Sequence, residues 1–162
     1  MSDLFEVWRF TRERLSQALH GLKEEQLNWR MYPGCHTIAE LVFHIAGAEH
    51  YWATRLGMKN PAGNEYEAKL DRSVQDGFLR DGSIPMGPGP HPASDVQKAL
   101  DYAQAEIEPI LRDTTDLQKT MVLTSPIGDE VKGNQGLIRL VQHAGYHTGQ
   151  IWMVRSHPDF PG

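Results

Sequence analysis

Apolar side chains recur every three or four positions over four stretches of the chain, the spacing of helices that bury one face. In the first stretch Leu4, Val7, Trp8, Leu15, Ala18, Leu19 and Leu22 form the stripe. It opens at Ser2, places Asp3 and Glu6 in the first turn where negative charge suits the helix dipole, and stops at Gly21. The second carries Ile38, Leu41, Val42, Ile45, Ala48, Trp52 and Leu56 between Thr37 and Gly57. Its opening, Thr37-Ile38-Ala39-Glu40, has the form of a capping box. The third begins at Ser94-Asp95-Val96-Gln97 and turns Val96, Leu100, Ala103, Ile107 and Leu111 inward, with Pro109 expected to kink or shorten it. The fourth, capped by Gly133 or Asn134, carries Leu137, Leu140, Val141, Ala144, Ile151 and Val154.

The connections read differently. Lys23 to Pro33 is a connector, and Lys119 to Gly133 predicts one or two short extended pieces around Pro126 and Gly128. Between Asn60 and Pro92 the chain holds five glycines and five prolines, so Ser83 to Pro92 must be irregular. A short helix fits between Glu65 and Leu79, and the whole segment reads as either a lid or a plain linker. The pattern therefore predicts an all-α fold. It is an up-and-down four-helix bundle with a long irregular connection between the second and third helices, with residues 1–162 as a single domain.

Composition narrows the function classes. A 162-residue chain can bury roughly two-thirds of its unfolded surface, so a core forms without disulfides. The formal charge of -5, with no long run of Lys and Arg, makes nucleic acid and anionic membranes poor partners. One cysteine, no apolar leader before Phe10 and no apolar run long enough to span a bilayer predict a reducing, cytoplasmic setting.

The chemistry concentrates in histidines. His143 and His147 lie four apart on the fourth helix and project from one face, on or beside its apolar stripe. His44 has the same phase in the second helix, three after Leu41 and four before Ala48. Three imidazoles aimed at one interior either each find a hydrogen-bond partner or share a divalent ion. Three neutral ligands would leave a coordination position open, which suits catalysis better than scaffolding.

The run Leu41-Val42-Phe43-His44-Ile45-Ala46, with His143-Ala144-Gly145-Tyr146-His147-Thr148-Gly149-Gln150 about a hundred residues later, resembles the DinB/YfiT-like superfamily. The likeness extends over nearly the whole chain, including the Pro-Gly-Cys-His-Thr lead-in, and is weakest from Asn60 to Pro92. It implies a four-helix bundle holding zinc or nickel on His44, His143 and His147. Relatives include transferases that use low-molecular-weight bacterial thiols, a mycothiol-dependent isomerase and metal-dependent hydrolases. The family alone does not choose among these activities; the leading expectation is a metal-dependent thiol S-transferase with a small-molecule substrate and a thiol cosubstrate. The alternatives are a metal-dependent hydrolase and a non-catalytic, stress-associated metal-binding protein. It also suggests a homodimer.

Other residues enter with smaller roles. Glu40 and Glu49 could orient an imidazole, although capping or solvent exposure is the simpler expectation, and Gln150 could face the site one turn beyond His147. Tyr146 and Trp52 read as packing, and Cys35 as a small loop residue rather than a nucleophile. His50, about 240° round the helix from His44, points elsewhere. His20, His91 and His157 read as surface or capping residues.

Overall fold

A computed structural model describes residues 3–75 and 85–162. Helix α1 spans Asp3–Leu19 and ends before Gly21, whose φ of 73° is the left-handed stop expected there. The connector that follows holds one short helix, α2 (Glu24–Leu27). Helix α3 (Ile38–Leu56) opens on the capping box: Glu40 N donates to Thr37 Oγ at 3.1 Å, and Thr37 N donates to Glu40 Oε2 at 2.9 Å.

The long connection holds α4 (Glu65–Gln75), within the stretch where a short helix was expected. Its proposed end at Leu79, with Gly77, Gly82 and Ser83, lies outside the described residues. From Pro85 to Pro92 the chain is irregular, as the Pro and Gly content requires. Helix α5 (Ala93–Arg112) runs through Pro109 to end three residues later, and Asp113 N closes the end on the Pro109 carbonyl at 3.2 Å. A second capping box, at Thr115, starts α6 (Asp116–Thr120), a helix the sequence pattern did not reveal. Strands β1 (Val122–Thr124) and β2 (Glu130–Lys132) then pair antiparallel, Leu123 opposite Val131, and lead into α7 (Gly133–Arg155).

The four long helices α1, α3, α5 and α7 form the bundle. Helix α7 meets α3 at His44 with His143 and at Trp52 with Gly136, so these two run antiparallel. Arg155 on the Ala18 carbonyl and Gly145 beside Thr11 set α1 parallel to α7. Phe43 meets His91 and His50 meets Glu106, so α3 and α5 run the same way. The all-α bundle is as expected, but these two consecutive long helices are parallel where the pattern predicted up-and-down alternation. The long connection makes this possible by returning the chain to the end where α3 began.

Helix α3 is the centre: every residue in it except Arg55 is buried. One apolar cluster around Leu15, Ile38, Ile45, Leu100 and Ile151 fills one end, and another around Phe5, Trp8, Trp52, Ile107 and Leu140 fills the other. His44 and His143 sit at the level where the two clusters meet. Among the described residues no helix is long and apolar enough to cross a membrane.

Candidate metal centre

Helix α7 stacks His143 and His147 one turn apart, and α3, running antiparallel beside it, brings His44 across to them. The Nε2 atoms of His44 and His143 lie 2.8 Å apart, and those of His143 and His147 lie 3.1 Å apart. One ligand nitrogen from each residue falls within 4.8 Å of the other two, so the three sequence-expected residues converge on one point.

The far side of two rings is anchored. His44 Nδ1 donates to the Ser73 carbonyl at 2.8 Å, and His147 Nδ1 donates to Gln150 Oε1 at 2.6 Å. Since a carbonyl only accepts, each of these rings carries its proton on Nδ1 and turns an unprotonated Nε2 toward the centre. This is the arrangement by which outer hydrogen bonds orient metal-ligating histidines. His143 Nδ1, by contrast, is buried with no hydrogen-bond partner among the described residues.

The Ser73 carbonyl reaches His44 because of a glycine one turn later. A β-carbon on Gly47 would lie 2.6 Å from the Leu70 carbonyl oxygen and 2.9 Å from Val74 N. Only a residue without a side chain lets α4 lie this close to α3.

Burial, followed by the repulsion of neighbouring imidazoles, holds His44 far below its ordinary value, at about 2. The same two causes take His143 to about 3. Burial also lowers His147, against the pull of its bond to Gln150. All three are therefore neutral at physiological pH, the form that ligates metal.

The donor set fits a divalent ion. Two unprotonated Nε2 atoms and the Nε2 of His143 crowd one point, and among the described residues the His143 Nε2 proton is what lies between them. In a tetrahedral zinc site the ligand nitrogens stand about 3.3 Å apart, so small outward shifts of these rings would admit the ion.

The cluster opens onto a cavity of about 750 Å³. Trp52, Val74, Pro126, Ile127 and Leu140 give it apolar walls, and Tyr146, Gln142, Gln150 and Arg139 add polar groups. Trp52 and Tyr146, expected only to pack, thus both face the cavity; Trp52 also packs in the core, whereas Tyr146 is largely exposed. The β1–β2 turn supplies one wall. It is tied to α7 through Asp129, which accepts from Arg139 Nη1 at 2.9 Å and from the Ser125 hydroxyl.

The remaining sequence candidates fall elsewhere. Glu40 caps α3 and binds Arg30 and His36 rather than a site histidine. Glu49 is neither exposed nor a cap: it is fully buried, accepts from Trp8 Nε1 at 2.9 Å and faces Arg12 at 3.6 Å. His50 points away from the site as expected, held between Glu106 at 2.5 Å and the Pro61 carbonyl at 3.1 Å. His91, expected at the surface, is buried against Phe43. His157 stacks on Trp29, and His20 is exposed. Cys35 is a buried loop residue whose Sγ accepts from Tyr32 N at 3.3 Å.

Sequence reasoning missed Ser73, Arg139 and the lining turn Ser125 to Ile127. Arg139 had a signal, since it precedes His143 by four and shares its helix face. Ser73 had none, because it contributes only a backbone carbonyl.

The family model described as the DinB superfamily matches residues 8–151. A crystal structure of a conserved protein from Enterococcus faecalis superposes with a TM-score of 0.67 at 17% identity, covering 94% of this chain and 92% of that one. At that identity the likeness is one of fold. No curated protein matches the chain.

Proposed function

This chain belongs to the DinB superfamily, and from that premise we propose that it is a metal-dependent thiol S-transferase. The observation that carries the reading is the convergence of three neutral histidines, two of them fixed through Nδ1, on a point that opens into a cavity. His44, His143 and His147 would hold the ion through Nε2, and zinc or nickel suits imidazole ligands. The ion would supply a positive charge that favours the thiolate over the thiol, or hydroxide over water.

The protein's own groups do the rest. Ser73 and Gln150 keep two Nε2 lone pairs aimed inward. For His143 to ligate in the same way, its proton must pass from Nε2 to Nδ1. Trp52, Val74 and Leu140 shield the reacting end from water, which strengthens every charge interaction there.

Thiol transfer is favoured over hydrolysis because it asks least of the lining. Among the described residues no carboxylate lines the cavity to serve as a general base for water. A thiol, with an ordinary pKa near 8.5, needs far less help to ionise. The reading takes residues 1–162 as one domain in a cytoplasmic setting that keeps Cys35 reduced. It includes a homodimer, for which the exposed apolar side chains Val7, Phe10, Ile138 and Met153 on α1 and α7 are the support.

The test is elemental analysis of untagged protein beside His143→Ala, followed by depletion of a low-molecular-weight thiol in the presence of a chlorinated dinitroarene. About one ion per chain in the wild type, lost in the variant, with metal-dependent thiol consumption, is the expected result. Turnover of esters or amides without thiol would replace the transferase with a hydrolase. A bound ion that only raises the melting temperature would leave a non-catalytic metal-binding protein.

A further inference from the structure

Arg139 stands one helical turn before His143 and two before His147, and all three side chains line the same cavity. Among the described residues it is the one Lys or Arg in that lining, and the carboxylate that pairs with it, Asp129, is not itself part of the lining. The guanidinium is not loose. Its Nη1 and Nη2 grip the two carboxylate oxygens of Asp129 at 2.9 and 2.8 Å, and Asp129 is braced in turn by the Ser125 hydroxyl. Two of five guanidinium N–H groups are used in that fork, which leaves three for a second acceptor. A planar donor set fixed from behind is pre-organised for an oxyanion.

Between Arg139 and the histidines the wall is apolar, formed by Leu140, Trp52 and the Pro126–Ile127 turn. An acid group at Arg139 and a reacting atom at the histidines would stand roughly 6–10 Å apart, one to two helical turns.

We propose that the cavity selects substrates carrying an acidic group, with Arg139 as the anchor for that oxyanion. An apolar body lies along Trp52 and Leu140, and the reacting end lies at the three histidines. The proposal rests on the reading of those histidines as the reacting centre, but the anchor itself needs no metal. The guanidinium charge therefore acts as a specificity determinant at one end of the cavity, while chemistry proceeds at the other.

The test compares 4-phenylbutyrate with 4-phenylbutyramide by calorimetric titration, on both metal-depleted and zinc-loaded protein. Wild type should bind the acid about ten- to hundredfold more tightly than the amide in both forms, the range for a charge-assisted hydrogen-bonded pair. Arg139→Gln should remove the preference, and Arg139→Lys should restore part of it. Asp129→Asn separates an anchor from a structural tie, because it breaks the same ion pair but keeps the guanidinium. It should keep the acid preference if Arg139 is the anchor, because the new amide oxygen can still accept one guanidinium N–H while the guanidinium charge is no longer offset.

Loss of the preference in Asp129→Asn as well as Arg139→Gln would overturn the proposal in favour of a tie between the turn and α7. A preference that appears only with zinc and survives Arg139→Gln would also overturn it, while leaving the metal reading intact. An Arg139-dependent preference in protein that takes up no zinc would sustain the anchor and remove the metal reading. Equal affinity for acid and amide in the wild type, or binding of neither at millimolar concentration, would overturn the anchor outright.

Discussion

A β-carbon placed on Gly47 would lie 3.1 Å from the Cβ of Ser73, so the contact between α3 and α4 at this point exists only because residue 47 has none. The same approach brings the Ser73 carbonyl to His44 Nδ1 at 2.8 Å, so packing and ligand orientation share one cause. Gly47→Ala should force the helices apart and cost about 1–3 kcal/mol in stability, as overpacking does. It should also weaken zinc binding about ten- to hundredfold by freeing the His44 ring. Denaturant melts and a chelator competition measure the two effects. Full zinc affinity in a destabilised Gly47→Ala protein would show that the Ser73 carbonyl does not orient His44.

Gln150 acts on the second ring without a role in the core. Its Oε1 accepts a hydrogen bond from His147 Nδ1 at 2.6 Å, and the side chain is half-buried at the cavity edge. Gln150→Leu should lower zinc affinity about ten- to hundredfold, with melting temperature little changed. Gln150→Glu keeps an acceptor in place and should recover most of the affinity. A Leu variant that binds zinc as tightly as wild type would remove Gln150 from the site.

The parts that were legible and those that were not divide along a physical line. The three histidines could be read because helical phase alone places His143 beside His147 and turns His44 inward. The capping box at Thr37 is likewise local, and the structure reproduces it. Glu49 and His91 were misjudged because their burial depends on which helix becomes central. Helix α3 carries Glu40, His44, Glu49, His50 and Thr54, a polar content that suggests one wet face, yet it is packed against α1, α4, α5 and α7 on all sides. The partners that make this tolerable, Arg12 and Trp8 for Glu49 and Glu106 for His50, come from other helices. Ser73 was invisible for a stronger reason: any residue type supplies a carbonyl, and only tertiary approach selects one.

The depressed histidine values set a pH dependence whose sign is definite. In the unfolded chain each imidazole titrates near 6.5, whereas in the folded protein His44 is lowered to about 2 and His143 to about 3. Below 6.5 the unfolded state takes up protons that the folded state refuses, so metal-free protein loses stability as pH falls, by up to about 1.4 kcal/mol per unit for each histidine. Above that value this contribution is constant. While the protein stays folded His44 and His143 remain neutral and His147 resists protonation more than a free imidazole does, so zinc affinity should fall only weakly from about pH 7.5 to about pH 5.5. Three ordinary imidazoles would lose on the order of a thousandfold over that interval. Chelator competition across the range, with folding followed by circular dichroism, checks both parts. A steep fall in affinity in protein that is still folded would mean the histidines titrate as if exposed.

Trp52 gives the last test, because the cavity wall depends on a second glycine. A β-carbon on Gly136 would lie 2.4 Å from Trp52 Cζ3, so α7 can pass the indole only with no side chain there. Gly136→Ala should therefore destabilise by about 1–3 kcal/mol and push the ring toward the cavity. Trp52→Leu should cost about 3 kcal/mol by loss of buried aromatic volume. In combination the smaller side chain vacates the space that the new methyl needs, so the double variant should be more stable than the sum of the two losses requires. A coupling of about 0.5–3 kcal/mol in a double-mutant cycle is the expected result. Strict additivity would mean that Gly136 is constrained by the helix backbone rather than by Trp52, and that the indole is free to move without it.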